Sequence, residues 1–252
     1  MATIAIGDIH GQLDPLNAVL SVLAGELSPA DTVVFLGDYI DRGPESRGCI
    51  DRILEFSTST PATVIGLLGN HEEWLLRTFH DRTRHSWLLG MEAFQTIESY
   101  SPSAAQAIRA AAQDAGRALY LDHVELPYQL FFEAVPTSHM AFLTNLRPYY
   151  RSEDALCVHG GVDPSAGEPE TQTQYSLLWG QNGFQTRYKG EALLVYGHWN
   201  NARRSPDGWP QPLVVGRTIG IDTIAHGVLT ALRLPDFTVF QSGRSSSWIL
   251  DV

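Results

Sequence analysis

Short runs of apolar and β-branched residues recur along the chain, and each run ends on a glycine-rich polar cluster. The runs are Thr3–Ile6, Thr32–Leu36, Thr63–Leu68, Ala155–Val158 and Ala192–Tyr196. Continuous apolar runs of this length, bounded by glycine, are typical of buried strands. Between the early runs, Leu13–Leu23 and Glu45–Phe56 space their apolar residues as helices do. This alternation predicts βαβ crossovers and a largely parallel first sheet.

The C-terminal third has a different pattern, in which strand-like runs follow one another without a helix between them. The runs are Leu213–Ile221, Val228–Leu234 and Phe237–Phe240. Pro235 and Asp236 are typical of a turn between the last two. We expect this region to form a second, more antiparallel sheet that packs on the first.

The middle of the chain, residues 73–151, is predicted to be a helical insertion that covers one edge of the sheet. It contains a segment rich in Trp, His and Arg over Trp74–Leu89 and an alanine-rich segment over Ala104–Leu119. The sequence has no internal repeat or low-complexity tract. We therefore expect a single domain over residues 1–252, a length that allows a well-buried core.

Composition and charge narrow the classes of function. A net charge of −11 argues against binding to nucleic acid, whereas metal cations in a cleft can still attract a phosphorylated substrate. The N-terminus lacks the pattern of a secretory signal, and the longest apolar run, Ala62–Leu68, is too short to cross a bilayer. We expect a cytoplasmic location and no membrane partner. Cys49 and Cys157 are predicted to be reduced, buried thiols.

Residues that can bind metal or transfer protons cluster just after the predicted strands. They are Asp8, His10, Asp38, Asp41, Asn70, His71, His159 and His198. A single aspartate here is often a turn former, and a single histidine is often structural. In α/β sheets, however, loops at the carboxyl ends of strands converge on one crevice. Carboxylate and imidazole ligands suit Mn, Fe or Zn ions, so the combination indicates a metal site.

The spacing of the first residues in this set favours a site for two ions. Asp8 and His10 alternate along an extended backbone, so their side chains share one face and can chelate one ion. The two carboxylate oxygens of Asp38 can bridge two ions about 3.5–4 Å apart.

Residues next to these candidate ligands suit phosphate chemistry. Arg42 presents a planar fork of donors for phosphate oxygens. His71 follows the potential ligand Asn70 and is free to act as a proton donor. Asp41 can hold the His71 imidazole in an oriented, charged state.

The blocks that carry these residues resemble the metallophosphoesterases, specifically the bacterial branch of the phosphoprotein phosphatase family of Ser/Thr phosphatases. The blocks are Gly7–Gly11, Gly37–Gly43, Gly69–Glu72, His159–Gly161 and Gly197–His198. The segments Leu177–Trp179, Gly220–Thr223 and Trp87–Tyr100 are also similar to that branch. The resemblance covers nearly the whole chain. It implies an α/β fold, a calcineurin-like sandwich of two mixed β-sheets flanked by helices.

The resemblance also implies a role for each residue. One divalent ion would be bound by Asp8, His10 and Asp38, and the other by Asp38, Asn70, His159 and His198. Arg42, with Asn70, would bind the substrate phosphate, while His71, supported by Asp41, would protonate the leaving oxygen. A metal-bridging hydroxide would attack phosphorus directly. The expected cofactors are two divalent metals, with manganese ahead of iron or zinc.

Some positions depart from the family pattern. Gln181 stands where the bacterial branch usually has a second phosphate-binding arginine, and Gln supplies no charge. Arg187, Arg203 and Arg204 are the candidates to replace it, with a solvated surface role as the alternative. Trp199 and Asn200 stand where the family usually has Thr-Pro. His226 lies near the expected site, as a polar loop residue or a substrate contact.

Three functional hypotheses follow. The leading one is a metal-dependent phosphoprotein phosphatase that hydrolyses phosphomonoesters on protein or on a small molecule, with phospho-Ser/Thr versus phospho-Tyr preference left open. The alternative is a diadenosine polyphosphate hydrolase, a branch that usually has Ala-Arg-Gly where this chain has Asp41-Arg42-Gly43. A non-catalytic metal- or phosphate-sensing module is the third, and the intact His71 and Asp41 argue against it.

Overall fold

Two β-sheets pack face to face in the computed structural model, which describes residues 1–200 and 203–252. The strands are β1 (Thr3–Ile6), β2 (Thr32–Phe35), β3 (Thr63–Gly66), β4 (Tyr149–Arg151), β5 (Ala155–Val158), β6 (Leu193–Tyr196), β7 (Arg203–Arg204), β8 (Pro210–Gln211), β9 (Leu213–Val215), β10 (Thr218–Gly220), β11 (Thr230–Leu234), β12 (Thr238–Gln241) and β13 (Trp248–Ile249). One sheet has the order β13-β12-β11-β1-β2-β3, and the other has the order β4-β5-β6-β10-β9. Strands β7 and β8 form a separate antiparallel pair.

Both sheets are mixed, as the predicted fold class requires. In the first, β1, β2 and β3 run parallel, while β11, β12 and β13 add to the other side of β1 as antiparallel strands. In the second, β5, β6 and β10 are parallel, and β4 and β9 are antiparallel edges. The fold is therefore the calcineurin-like α/β sandwich of two mixed sheets flanked by helices.

The expected division of strands between the sheets was wrong for the C-terminal third. Strands β11 and β12 do form a hairpin around Pro235 and Asp236, but they extend the first sheet rather than build the second. The second sheet is instead built around β5 and β6, and of the three predicted C-terminal runs only Leu213–Ile221 contributes to it, as β9 and β10. An apolar pattern predicts that a strand is buried, but its partner depends on long-range pairing.

Side chains that alternate between the two faces of each strand divide the interior into layers. Ile4 and Ile6 of β1 face a core shared with the helices, whereas Ala5 between them faces the second sheet. On β5, Cys157 points into this inter-sheet core, and Val158 points to a third apolar cluster on the far side. Successive side chains on a strand point to opposite faces, so one run supplies two cores.

Helices cover the outer faces of the sheets. The helices are α1 (Leu13–Leu23), α2 (Ser46–Ser59), α3 (Asn70–His80), α4 (Ser86–Gly90), α5 (Phe94–Tyr100), α6 (Pro102–Ala115), α7 (Ala118–Leu121), α8 (Gln129–Phe132), α9 (Thr137–Thr144), α10 (Gln174–Trp179) and α11 (Phe184–Arg187), with 3₁₀ turns at Pro169–Thr171 and Ile224–His226. Helix α1 buries Leu16, Val19, Leu20 and Leu23, the spacing of one apolar face.

The segment between β3 and β4 contains α3 to α9, in agreement with the helical character expected for residues 73–151. The assignment of this segment as an insertion in a single domain stays a prediction. Cys49 and Cys157 are free and buried, as predicted, and burial raises the pKa of the Cys157 thiol to about 12. Within the described parts of the chain, no helix is both long and apolar enough to cross a membrane.

Candidate metal centre and active site

Loops at the carboxyl ends of five strands bring the predicted site residues together. Asp8 and His10 follow β1, Asp38 and Asp41 follow β2, Asn70 and His71 begin α3 after β3, His159 follows β5, and His198 follows β6. Side-chain contacts connect all of these residues into one cluster. The convergence expected from the strand-end pattern is therefore present in the fold.

Asp38 lies at the middle of the cluster. Its Oδ2 is 3.5 Å from His10 Nε2, and its Oδ1 is 3.4 Å from His159 Nε2. Its Oδ2 is also 3.8 Å from His71 Nε2. Burial raises the pKa of Asp38, but the surrounding imidazoles, with His159 first, lower it below its usual value. Asp38 is thus an ionised carboxylate between two sets of nitrogen donors.

Two groups of donor atoms lie close enough together to hold a metal ion, with the atoms of each group within 4.8 Å of one another. One group is His10, Asp38 and His71, and the other is Asp38, His159 and His198. Both groups contain Asp38, the residue predicted to bridge two ions. The donor set therefore fits a pair of divalent cations.

The first group differs from the expected ligand set because it includes His71 and not Asp8. Asp8 is nevertheless adjacent, since its Oδ2 lies 3.9 Å from His10 Nε2. The Asp8 carboxylate also accepts the backbone N–H of His198 at 3.0 Å, which joins the loop after β1 to the loop after β6. Burial raises the pKa of Asp8, and the nearby carboxylates Asp222 and Asp38 raise it further.

Three imidazoles, those of His10, His159 and His198, are in the neutral form that binds metal. Burial lowers the pKa of His10 to about 3 and that of His198 to about 3, and it also lowers the pKa of His159. The Nδ1 atoms of His10 and His159 lie 3.1 Å and 2.9 Å from the carbonyl oxygens of Ile40 and Leu36. A carbonyl only accepts, so each Nδ1 carries the proton, and each Nε2 keeps the lone pair that a metal ion requires.

His71 is held by a buried carboxylate network. Its Nδ1 lies 2.8 Å from Asp41 Oδ2, and its Nε2 faces Asp38. Asp41 also accepts hydrogen bonds from Trp87 Nε1 at 2.9 Å and from Thr96 Oγ1 at 2.5 Å. Burial lowers the pKa of His71, but Asp38 and Asp41 outweigh it and raise that pKa above its usual value. This arrangement can supply a proton at Nε2.

Arg42 projects over the cluster from the loop after β2. Its Nη1 is 2.8 Å from His10 Nε2, and its Nη2 is 3.4 Å from His71 Nε2. The residue is exposed, whereas both histidines are buried. A guanidinium in this position can donate to the oxygens of an anion that enters the cluster from solvent.

The backbone around these side chains is in a conformation that non-glycine residues rarely adopt. Within residues 1–200 and 203–252, the non-glycine residues with positive φ include His10 (46°), Asp38 (53°), Asp41 (69°), Arg42 (64°) and His198 (66°). Left-handed backbone costs free energy and is retained when surrounding structure requires it, as at functional sites. The strain thus coincides with the residues that the sequence pattern selected.

Two buried carboxylates support the site without having been assigned roles from the sequence. Glu72 accepts the backbone N–H groups of Asp38 and Tyr39 at 2.9 Å each and that of Gly69 at 3.2 Å, which fixes the loop after β2 against the start of α3. Burial and the charge of Asp38 raise the pKa of Glu72 to about 8. Asp222 accepts the backbone N–H of Asn200 at 2.7 Å. Both lie in family-like blocks, the signal that could have identified them.

Two of the arginines considered as replacements for the missing phosphate-binding arginine make other contacts. Arg187 donates to the carbonyls of Asn182 and Gly183, a contact confined to its own turn. Arg204 Nη2 lies 3.0 Å from His226 Nδ1, which joins the β7–β8 hairpin to the loop after β10.

The other positions noted in the sequence lie as follows. Arg203 is exposed on β7. Trp199 donates its indole N–H to the Gly160 carbonyl at 2.6 Å and closes that loop. Gln181 is partly buried next to α10, and its backbone N–H donates to the Val162 carbonyl. None of these contacts supplies a second cation at the cluster.

The sequence profile of the calcineurin-like phosphoesterases matches residues 1–227. The chain belongs to this family. It is accordingly a metallophosphoesterase, a hydrolase class that uses divalent metal ions, and the clustered His and Asp groups suit such ions.

Two similar bacterial proteins match along nearly the whole chain. A symmetrical bis(5'-nucleosyl)-tetraphosphatase of Pectobacterium carotovorum is 26% identical over 98% of this chain and 96% of its own length. The asymmetrical bis(5'-nucleosyl)-tetraphosphatase PrpE of a Geobacillus species is 28% identical over 97% of this chain and 95% of its own. The tetraphosphatases thus match the chain over its whole length, and the narrower assignment to the phosphoprotein phosphatases is not confirmed.

Several solved structures share the fold at low sequence identity. A candidate diadenosine tetraphosphatase superposes with a TM-score of 0.61 at 17% identity, over 97% of this chain and 95% of that one. A protein serine/threonine phosphatase of Saccharomyces cerevisiae superposes with a TM-score of 0.51 at 15% identity, over 100% and 81%. At these identities the likeness concerns the fold alone.

Proposed function

We propose that this chain hydrolyses the polyphosphate bridge of a dinucleoside polyphosphate. The observation that carries the proposal is the end-to-end match to relatives that are named bis(5'-nucleosyl)-tetraphosphatases. The proposal replaces the phosphoprotein phosphatase as the leading function and takes up the alternative that the sequence left open. It retains the same candidate metal centre.

In this proposal the metal-binding side chains divide between two ions. Asp8 and His10 would hold one ion, Asn70, His159 and His198 would hold the other, and Asp38 would contribute to both. The presence of Asp38 in both donor groups supports its place between the two ions, and the second group also contains His159 and His198. When bound, two divalent cations, with manganese as our first choice, supply Lewis acidity and lower the pKa of a water nucleophile.

The remaining polar groups act on the substrate. Arg42 donates to the oxygens of the phosphoryl group that undergoes attack, where negative charge is spread over equatorial oxygens. Asn70 Oδ1 lies 2.8 Å from His159 Nε2, so its amide is held at the same centre. His71 carries a proton at Nε2 toward the departing oxygen, and Asp41 fixes the ring through Nδ1.

A second candidate function, phosphomonoester hydrolysis on protein, is favoured by the Asp41–His71 pair. An alkoxide leaving from phosphoserine is a strong base and needs a proton donor, whereas a nucleotide phosphate is a much better leaving group. The full hydrogen-bond complement of Asp41, from His71, Trp87 and Thr96, holds such a donor in place. The relatives' names outweigh this feature in our proposal because they match over the whole chain.

The two candidates are separated by products. The purified protein with Mn²⁺ is incubated with diadenosine tetraphosphate and, separately, with a phosphoseryl peptide. Water addition to diadenosine tetraphosphate yields two ADP if cleavage is symmetrical, or AMP and ATP if it is asymmetrical, and chromatography distinguishes them. We expect kcat/KM for diadenosine tetraphosphate to exceed that for the peptide at least tenfold. The reverse ratio would favour the second candidate, and no nucleotide release with Mn, Fe or Zn would exclude the first.

A further inference from the structure

A row of aromatic side chains extends from the candidate metal centre to the surface. The Trp179 ring packs edge-on against His198, with centroids 5.2 Å apart and an interplanar angle of 85°. On its other sides lie Trp74, at 5.8 Å, and Tyr175, stacked at 6.2 Å and 26°. We call Trp74, Tyr175 and Trp179 the aromatic strip. His198 joins this strip directly to a donor group of the metal centre.

The elements that carry the strip explain its position. Tyr175 and Trp179 are four residues apart on α10, so they share one face of that helix. Trp74 lies on α3, the helix that begins with Asn70 and His71. The strip is not closed over, since Tyr175 is 70% exposed. A large aromatic ring held in a stack but left open to solvent offers a π-face to a ligand.

A cavity of about 370 Å³ opens beside Glu73, Arg77, Arg84 and Gln174, and its volume is in the range of small-molecule sites. Glu73 and Gln174, the chain neighbours of Trp74 and Tyr175, are among its lining residues. Within the described residues, the buried Oε2 of Glu73 has no hydrogen-bond partner. The other carboxylate oxygen, Oε1, pairs with Arg77 Nε, so Glu73 and Arg77 together give the cavity a polar wall.

We infer that the aromatic strip binds a nucleoside of the dinucleoside polyphosphate, with the base stacked on Tyr175 beside Trp179 and the Glu73 cavity receiving its polar groups. This inference rests on the proposed function, whose substrate carries a base at each end. The distribution of charge in the protein favours a nucleoside site that binds by stacking. The protein has a net charge of −11, and among the described contacts only Arg42 brings a cation to the cluster. Stacking on aromatic rings adds affinity for a base independently of charge.

The test measures binding, so it does not depend on turnover. Equilibrium dialysis with Mn²⁺ gives the Kd of ADP and of inorganic phosphate for the wild type, Tyr175→Ala and Tyr175→Phe. We expect Tyr175→Ala to weaken ADP binding by about tenfold and Tyr175→Phe to restore it, because loss of a stacked aromatic ring weakens base binding by roughly that factor. The Kd of inorganic phosphate, which has no base, is expected to change less than twofold. Ile249→Ala, which removes a 65% exposed side chain from edge strand β13, is the control.

Equal Kd values of ADP for the wild type and Tyr175→Ala would overturn the inference, as would a parallel loss for inorganic phosphate. The proposed function fails separately, if wild-type protein does not hydrolyse diadenosine tetraphosphate. If the protein binds ADP through Tyr175 but leaves the tetraphosphate intact, the nucleoside site is supported and the proposed reaction is excluded.

Discussion

At the scale of single residues, Asp41 shows how a buried carboxylate is placed for one task. It is fully buried and accepts from His71, Trp87 and Thr96, so its lone pairs face only donors. Its own N–H donates to the hydroxyls of Ser46 and Thr96. A half-satisfied carboxylate at this depth would be strongly destabilising, so the network and the orientation of His71 depend on each other.

Replacing His71 tests whether it is a proton donor or a metal ligand. In the proposed mechanism, His71→Asn lowers kcat by roughly 10²- to 10⁴-fold, the usual value of general acid catalysis. The metal content measured by atomic absorption is expected to stay at the wild-type level. Loss of one ion from the variant would instead show that His71 is a metal ligand, a role that its position beside His10 and Asp38 allows. His123→Asn changes an exposed histidine on the same chain and should leave both readouts unchanged.

Gly69 is a second single-residue determinant, because a side chain there has no space. A Cβ would lie 2.2 Å from Asp38 Oδ1 and 2.5 Å from Glu72 Oε2. We expect Gly69→Ala to displace Asp38 and to lower kcat/KM by about 10²-fold, since a shift near 1 Å in a site costs that much. Gly25→Ala is the matched control, because a Cβ at Gly25 meets nothing within 4 Å. Equal activity of the two variants would contradict this expectation.

At the scale of elements, helix α6 illustrates termini that the local sequence specifies. The Ser101 hydroxyl accepts the N–H of Ala104, Pro102 takes the first helical position, and Gly116 ends the helix at φ 51°. Serine caps, N-terminal proline and C-terminal glycine each satisfy or avoid unpaired backbone groups. The bounds of α6 therefore follow from a few neighbouring residues.

Removal of this cap should affect stability without affecting the site. We expect Ser101→Ala to lower the free energy of unfolding by ~1 kcal/mol, and Ser101→Thr to retain most of it. Urea denaturation followed by circular dichroism measures the change. Since α6 contributes none of the candidate site residues, kcat/KM should remain within twofold. A large loss of activity in a stable Ser101→Ala protein would show that α6 supports the site.

At the scale of the whole molecule, the site concentrates negative charge in an already acidic protein. Asp8, Asp38 and Asp222 approach one another below the surface, and the chain carries a net charge of −11. Cations bound between them relieve this repulsion only in the folded state, since the ligands come from distant parts of the chain. Divalent metal should therefore stabilise the fold through linkage.

The link between metal binding and stability can be measured by removing the metal. Mn²⁺ at 100 times its Kd should stabilise the protein by ~2.7 kcal/mol and raise Tm by roughly 5–10 °C for each occupied site, relative to chelated protein. Differential scanning calorimetry gives the shift. Asp38→Asn should abolish most of it, because Asp38 belongs to both donor groups. Asp207→Asn, at an exposed turn, is the control, and an identical shift in both variants would refute a shared site.

Much of the fold and site could be predicted locally. Helix α1 has the predicted bounds, and the strands before Asp8, Asp38, Asn70, His159 and His198 lie where apolar runs end on glycine. Those glycines and the polar residues after them select the crevice, because carboxyl ends of parallel strands meet at one edge. Strand pairing could not be predicted in this way. Strands β11 and β12 joined the first sheet because register and partner depend on contacts far apart in sequence.

The sequence by itself determined which residues can bind metal and move protons, since residue type and strand-end position specify that chemistry. Only the tertiary structure decided their surroundings. It placed Trp87 and Thr96 of the helical region on Asp41, set Asp222 near Asp8, and packed Trp74 of α3 against Trp179 of α10. Such contacts join segments dozens of residues apart, and no local pattern encodes them. They arise when the sheets and helices pack, which is why the chemistry could be predicted before the substrate.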